Sequence, residues 1–142
     1  MGSVAMSSPN ADSPYLLDTH IWFWYLTGSE RLPVGLRTAI GSASGELWIS
    51  PISFWELGVL EQRGRIRLDG GFRTWAQGAQ QRFPLREASL TGEVAVTSCE
   101  LDLPHRDPAD RFLAATALIH ELTLMTVDER LRDAQWLSTR SA

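Results

Sequence analysis

A short apolar run followed at once by a helical segment recurs along this chain, and that alternation limits what it can fold into. Tyr15 to Asp18 (YLLD) precedes THIWFWYLTG, whose bulky residues and closing Gly28 read as a short helix. ELWIS at 46–50 reads as a buried strand, and Pro51 to Arg63 as a helix stopped by Gly64. RFPLREAS followed by LTGEVAVTSCE forms a weaker third unit, and LTLMTV at 122–127 leads into DERLRDA. Strands that are apolar throughout are buried on both faces, and strands alternating with helices pair in parallel. The expected fold class is therefore α/β: a three-layer α/β/α sandwich around a central, mostly parallel sheet of four or five strands. Val34 to Ser42 and Gly70 to Gln81 read as further surface helices.

With 142 residues, of which 44% are hydrophobic and 21% charged, the chain suits one folded domain rather than two cores or a disordered polymer. Its longest apolar runs, IWFWYL and FLAATALI, fall far short of the roughly 20 residues that cross a bilayer, so no membrane span is expected. Residues 1–14, small and polar, read as a disordered leader without the basic start or apolar run of a secretory signal, leaving 15–142 as the domain. The single cysteine, Cys99, rules out an internal disulfide and suits a reducing, cytoplasmic setting. A net charge of −4 is not the basic footprint of a protein that holds nucleic acid by charge alone. Acids gathered around divalent cations would change that balance, so their positions matter.

Two of them head HRDPADRFLAATAL at 105–118, where the sequence then turns almost wholly apolar. Asp107 reads as an N-cap, with Pro108 at the first helical position. Asp110 lies near the positive end of the helix dipole, but it also shares a face with Leu113, Ala114 and Ala117. Ser53-x-x-Glu56 fits a capping box, yet Glu56 shares a face with Val59 and Leu60. A carboxylate on a buried face needs a cation beside it or takes up a proton. Lysine is absent from the chain, and Arg111 lies one residue round the helix from Asp110.

In a parallel sheet, ligands gather at the carboxyl ends of the strands. Asp18 ends the first strand, and Glu56 is expected in the first turn of the helix after the second. Asp110 falls in the first turn of the helix before the fourth strand, and Asp128 just past that strand's end. Singly, Asp18 could be a turn residue and Asp128 a cap for DERLRDA. Together, four acids on one rim would raise one another's pKa values unless a hard cation sat among them. Oxygen donors without a cysteine or histidine cluster favour Mg²⁺ or Mn²⁺ over zinc. Such ions serve phosphoryl chemistry by generating hydroxide from water and stabilising the leaving oxygen. His20, His105 and His120 show no metal-ligand spacing, and His120 reads as a late-helix residue favoured by the dipole. Trp22, Trp24 and Trp55 read mainly as core, with enough aromatic area left for a partner groove.

LLDTHIWFWYL, ISPISFWELGVL, LPHRDPADRFLAATAL and LTLMTVDERL resemble, in order and spacing, the successive blocks of PIN-domain ribonucleases of the VapC toxin type. The likeness runs from about Tyr15 to Leu137. It implies a PIN-like fold and a Mg²⁺- or Mn²⁺-dependent endoribonuclease, the toxin of a type II toxin–antitoxin pair inhibited by a VapB-like antitoxin. By motif, Asp18, Glu56, Asp110 and Asp128 take the family's acidic metal-binding positions, the four that the rim reading selects. Asp107 is left as cap or outer shell, and Thr19 and Thr126 as hydrogen-bonding neighbours of the acids. The family also implies a homodimer. An antitoxin segment laid over the Trp-rich first helices, with an arginine among the carboxylates, is the expected inhibitor contact.

The expected reaction is in-line hydrolysis of a phosphodiester in single-stranded or looped RNA, with a second ion or Arg111 steadying the developing charge. Two other readings compete. A haloacid-dehalogenase-like phosphatase also starts from a strand-ending Asp, but needs an acid two residues on, where this chain has His20. A catalytically inactive PIN-like binding module would share the fold without the cleavage.

Overall fold

The computed structural model describes residues 14–42, 46–104 and 106–142. The leader expected over 1–14 lies outside the described residues as far as residue 13, as does His105. Among the described residues twelve elements follow in order: β1 (Tyr15–Leu17), α1 (Thr19–Thr27), α2 (Val34–Ser42), β2 (Leu47–Ile49), α3 (Pro51–Gln62), α4 (Phe72–Arg82), β3 (Arg86–Glu87), α5 (Gly92–Glu100), α6 (Pro108–Ile119), β4 (Thr123–Met125), α7 (Glu129–Arg132) and β5 (Thr139–Arg140). Among the described residues the strands form one five-stranded sheet in the order β3-β2-β1-β4-β5, and every pairing is parallel. Leu16 stands opposite Trp48 on one side and Leu124 on the other.

Side chains of successive strand residues point to opposite faces, and the three central strands divide accordingly between two cores. Tyr15, Leu17, Leu47, Ile49 and Met125 join a cluster with Ile21 and Trp22 of α1, Leu36 and Ile40 of α2, Leu57 of α3 and Ala79 of α4. Leu16 and Leu124 face the other way, into a cluster with Leu113, Ala114 and Ala117 of α6 and Leu131 of α7, against which Trp48 packs. Both faces of the three central strands are thus covered, which is why those strands are mostly apolar. Among the described residues no helix is long and apolar enough to cross a membrane.

The helix starts show how local chemistry sets the frame. Pro51 opens α3 because its fixed φ and missing amide suit the first helical position, and the Ser50 hydroxyl accepts from the Ile52 amide at 3.0 Å. The capping box expected at Ser53 and Glu56 is therefore displaced: Ser53 lies inside the helix, and Glu56 falls in the second turn rather than the first. At α6 the expectation and the structure agree, with Asp107 accepting from the Ala109 amide at 3.0 Å and Pro108 at the first position. Gly28 closes α1 in the left-handed conformation, φ 67°, which a side chain would make costly. Strand β3 is shorter than RFPLREAS suggested, and α7 is a single turn.

Strand β1 sits at the switch point, with β2 on one flank and β4 on the other. In such sheets the crevice for ligand opens beyond the carboxyl ends of the strands where the order reverses. The helix α6 feeds β4 through a tight turn in which the Leu122 amide donates to the Ala117 carbonyl at 2.8 Å. That turn sends α6 antiparallel to β4 and brings its first turn to the same edge.

Candidate functional site

At that edge Asp18, Glu56, Asp107, Asp110 and Asp128 line one cleft of about 350 Å³, together with His20, Ile21, Trp24, Arg31, Val127 and Arg130. All four acids selected from the sequence are brought to it, from the end of β1, from α3, from the first turn of α6 and from the cap of α7. They share a cleft rather than a point: among the described residues no three His, Cys, Asp or Glu side chains form a ready-made metal cage.

Asp18 is the most firmly built in. Its backbone amide donates to the Met125 carbonyl at 3.0 Å, and its own carbonyl accepts from the Trp22 amide at 3.0 Å, so the residue joins β1, β4 and α1. Its side chain is only 8% exposed, and Oδ2 accepts from the hydroxyl of fully buried Thr126 at 2.6 Å. The same Thr126 oxygen accepts from the Asp128 amide at 3.0 Å. One hydroxyl, used as donor and acceptor, thus ties two acids from opposite ends of the chain. Thr19, also fully buried, donates to Ser53 at 2.8 Å and joins α1 to α3, the helix that carries Glu56.

Burial and crowding act on the acids in one direction. Burial is the main influence lifting the Asp18 carboxyl above its usual range, opposed by the Thr126 hydrogen bond. Glu56 is raised in the same way, chiefly by burial, with the Thr19 hydroxyl pulling it down and Asp18 pushing it up. Asp110, 9% exposed, is pushed up to about 8, first by burial and then by the charges of Asp107, Asp18, Asp128 and Glu56. Asp128 accepts from the Arg130 and Leu131 amides at 2.8 and 3.4 Å as the α7 cap, and Arg130 Nε approaches its Oδ1 at 3.8 Å. Cap and cleft-lining acid are therefore one residue here, not alternatives.

Glu56 is half-buried where Asp110 is buried, and both line the cleft, belonging to neither core. Arg111 departs further from expectation. Its guanidinium donates to the carbonyls of Ser98, Leu101 and Leu103 at 2.9, 2.7 and 3.3 Å, which pins the connection between α5 and α6. Held there, it fixes the backbone that leads into α6, and it is not among the residues that line the cleft. His120 caps the end of α6 with Nε2 at 3.0 Å from the Ser89 carbonyl oxygen.

Sequence reasoning missed the cationic and aromatic part of the cleft: His20, Trp24, Arg31 and Arg130. A signal existed for two of them, since His20 and Trp24 stand four apart and so share a helical face directly after Asp18. Arg31 had none, because the loop after α1 decides its place. Of the tryptophans, Trp22 is buried in the first core, whereas Trp55 is 54% exposed.

Comparison with known proteins identifies the family. The family model described as PIN domain matches residues 15–137. Ribonuclease VapC22 of Mycobacterium tuberculosis (strain ATCC 25618 / H37Rv) is 36% identical over 118 residues, covering 82% of this chain and 88% of that protein. Two solved structures share the fold at lower identity. A chain of the DNA-bound VapBC structure from Salmonella typhimurium superposes with a TM-score of 0.67 at 14% identity, covering 90% of this chain and 97% of its own. A chain of the FitAcB structure from Neisseria gonorrhoeae gives 0.65 at 19%, covering 89% and 96%. The fold, the match along nearly the whole described domain and the identity to VapC22 place the chain in the PIN-domain family, among its VapC-type members.

Proposed function

We propose that this chain is a VapC-type toxin, a Mg²⁺- or Mn²⁺-dependent endoribonuclease that hydrolyses RNA phosphodiester bonds and is inhibited by a cognate VapB-like antitoxin. The observation that carries the reading is the arrival of Asp18, Glu56, Asp110 and Asp128, from four separate elements, at one cleft beyond the switch point of a PIN fold. The name of its VapC22 relative supplies the substrate class.

The residues fit a hard divalent ion. The acids of the cleft offer carboxylate oxygens, which Mg²⁺ and Mn²⁺ prefer. Two of those carboxyls are nearly buried and are pushed toward protonation by burial and by one another, a cost that a cation relieves. Asp18, Glu56, Asp110 and Asp128 would hold the ion, with Asp107 kept at the α6 cap. Bound there, it supplies Lewis-acid activation of water and neutralises charge on the phosphate. Thr126 fixes the rotation of the Asp18 carboxylate, and Thr19 with Ser53 holds α1 against α3, so the elements that carry the acids are held at one cleft before an ion binds. Arg130, beside Asp128, provides a cation at the rim for a neighbouring phosphate.

The antitoxin reading adds a partner whose arginine pairs with these carboxylates. The protein is expected to act in the cytoplasm and as a homodimer. Sequencing RNA ends after induction of the wild type and an Asp18→Asn control tests activity and target together. New ends specific to the wild type support the assignment, and equal cleavage by the variant refutes it. Co-expression with the adjacent open reading frame should yield a stable complex, and a chain harmless when expressed alone would count against a toxin.

A further inference from the structure

The acids of the cleft leave His20, Arg31 and the aromatic wall at Trp24 unexplained. His20 and Trp24 project from one face of α1, their rings 5.7 Å apart and tilted by 44°. The Arg31 guanidinium lies 5.1 Å from the centroid of the Trp24 ring. That placement is built by the loop. Gly28 reverses the chain, the Ser29 amide donates to the Trp24 carbonyl at 2.9 Å, and the Arg31 amide donates to the Ser29 hydroxyl at 3.1 Å. The Arg37 guanidinium donates to the Ser29 carbonyl at 2.7 Å and anchors the turn to α2. A long, exposed arginine is thus steered back over an indole at the mouth of the cleft.

Trp24 is half-buried, with part of its ring packed against the first core and part facing the cleft, and His20, Arg31 and Arg130 are exposed. Flat aromatic and guanidinium groups beside a phosphate-binding centre match what unpaired nucleotides require. Splayed bases stack on aromatic rings and guanidinium planes, while cations track the backbone. From this we infer that Trp24 and Arg31 form a stacking platform for the base of a nucleotide flanking the scissile phosphate, with His20 and Arg130 contacting the adjacent backbone. The inference rests on the ribonuclease reading and makes the enzyme selective for single-stranded or looped RNA, since a paired base cannot reach the platform. Stacking tolerates any base, so the platform sets strandedness and register more than sequence.

The test uses the full chain with Mg²⁺ and a fluorophore-labelled single-stranded RNA of mixed sequence, with the cut mapped. Trp24→Ala should raise KM about ten- to a hundred-fold, the range set by the worth of one stacked base, and change kcat by no more than about two-fold. Trp24→Phe should recover most of the loss. Arg31→Ala, which spares the α1 core, should raise KM in the same sense. An abasic residue beside the cut should weaken the wild type as much as Trp24→Ala does and add nothing to that variant, a non-additivity that a merely structural tryptophan would not produce. Wild-type cleavage with KM unmoved by Trp24→Ala and Arg31→Ala overturns the platform and leaves the ribonuclease reading standing. The same unchanged kinetics with lost antitoxin binding would assign these residues to the protein partner instead, which also overturns it. No cleavage by the wild type overturns both.

Discussion

Replacing Asp110 by Asn is the perturbation that most directly tests the physics of the cleft. In the folded protein Asp110 titrates at about 8, against 3.8 for the free side chain. Between those values the folded chain keeps a proton that the unfolded chain has lost. Stability from this group is therefore greatest below pH 3.8, falls as pH rises through the window, and levels off above about 8. At about 1.4 kcal/mol per unit, ionising Asp110 in place costs ~6 kcal/mol. Water entering the cleft and rotation of neighbouring carboxylates return part of that, so a measured effect of ~2–3 kcal/mol is expected. Asn keeps the shape and cannot ionise. Without metal, Asp110→Asn should be more stable than the wild type by that amount at pH 8, and the gap should close only below about pH 4, under the free-side-chain value, as read by urea unfolding across the pH range. Adding Mg²⁺ should close that gap, because an ion at a hundred times its Kd stabilises the wild type by ~2.7 kcal/mol while the variant binds it weakly. If metal-free Asp110→Asn at pH 8 proves less stable than the wild type, the Asp110 carboxylate is stabilised as an anion by the protein itself, and the need for a cation disappears.

Two further substitutions separate site from scaffold. Thr126→Val removes the bond to Asp18 and the acceptor for the Asp128 amide; it should cost ~1–3 kcal/mol by thermal unfolding and weaken Mn²⁺ binding by titration calorimetry, with Thr126→Ser restoring both. Arg111→Ala frees the carbonyls of Ser98, Leu101 and Leu103; it should lower stability by ~2–4 kcal/mol in urea while leaving kcat at low temperature within about two-fold, and a large kcat loss without destabilisation would return Arg111 to the chemistry.

The sheet was legible because burial on both faces leaves a mark in sequence: YLL and LWI are apolar throughout, and TLM is apolar after its half-buried first residue. Arg86–Glu87 and Thr139–Arg140 belong to edge strands, where pairing is done by backbone and the side chains carry little of that mark. Asp18, Asp110 and Asp128 were legible because each adjoins a strand end or lies in the first turn of a helix, and Glu56 because the helix after β2 carries it to the same rim from its second turn. What eluded sequence was whatever depended on competition or on loops. Ser50 and Ser53 are equivalent as cap chemistry, and Pro51 decides between them. The acceptors of Arg111 are backbone carbonyls, which have no residue signature at all. The Trp24–Arg31 contact exists only because Gly28 and Ser29 turn the chain back on itself.

The cleft sits on a scaffold that does not depend on it. The two cores lie on either face of the sheet and contain none of the five carboxylates. The hydroxyls of Thr19 and Thr126 join the elements that carry the acids by bonds that need no ion. A divalent cation would then organise side chains at the rim and would not create the fold, unlike a structural metal whose removal unfolds a small domain. Chelation with EDTA should consequently abolish RNA cleavage while leaving the far-ultraviolet circular dichroism unchanged, lowering Tm by no more than several degrees at pH 8 and by less at pH 6, where Asp110 is mostly protonated. Mg²⁺ or Mn²⁺ should restore cleavage at once, without a refolding phase. Loss of helical signal on chelation would mean that the ion holds the elements together, and the separation of scaffold from site drawn from the two cores would be wrong.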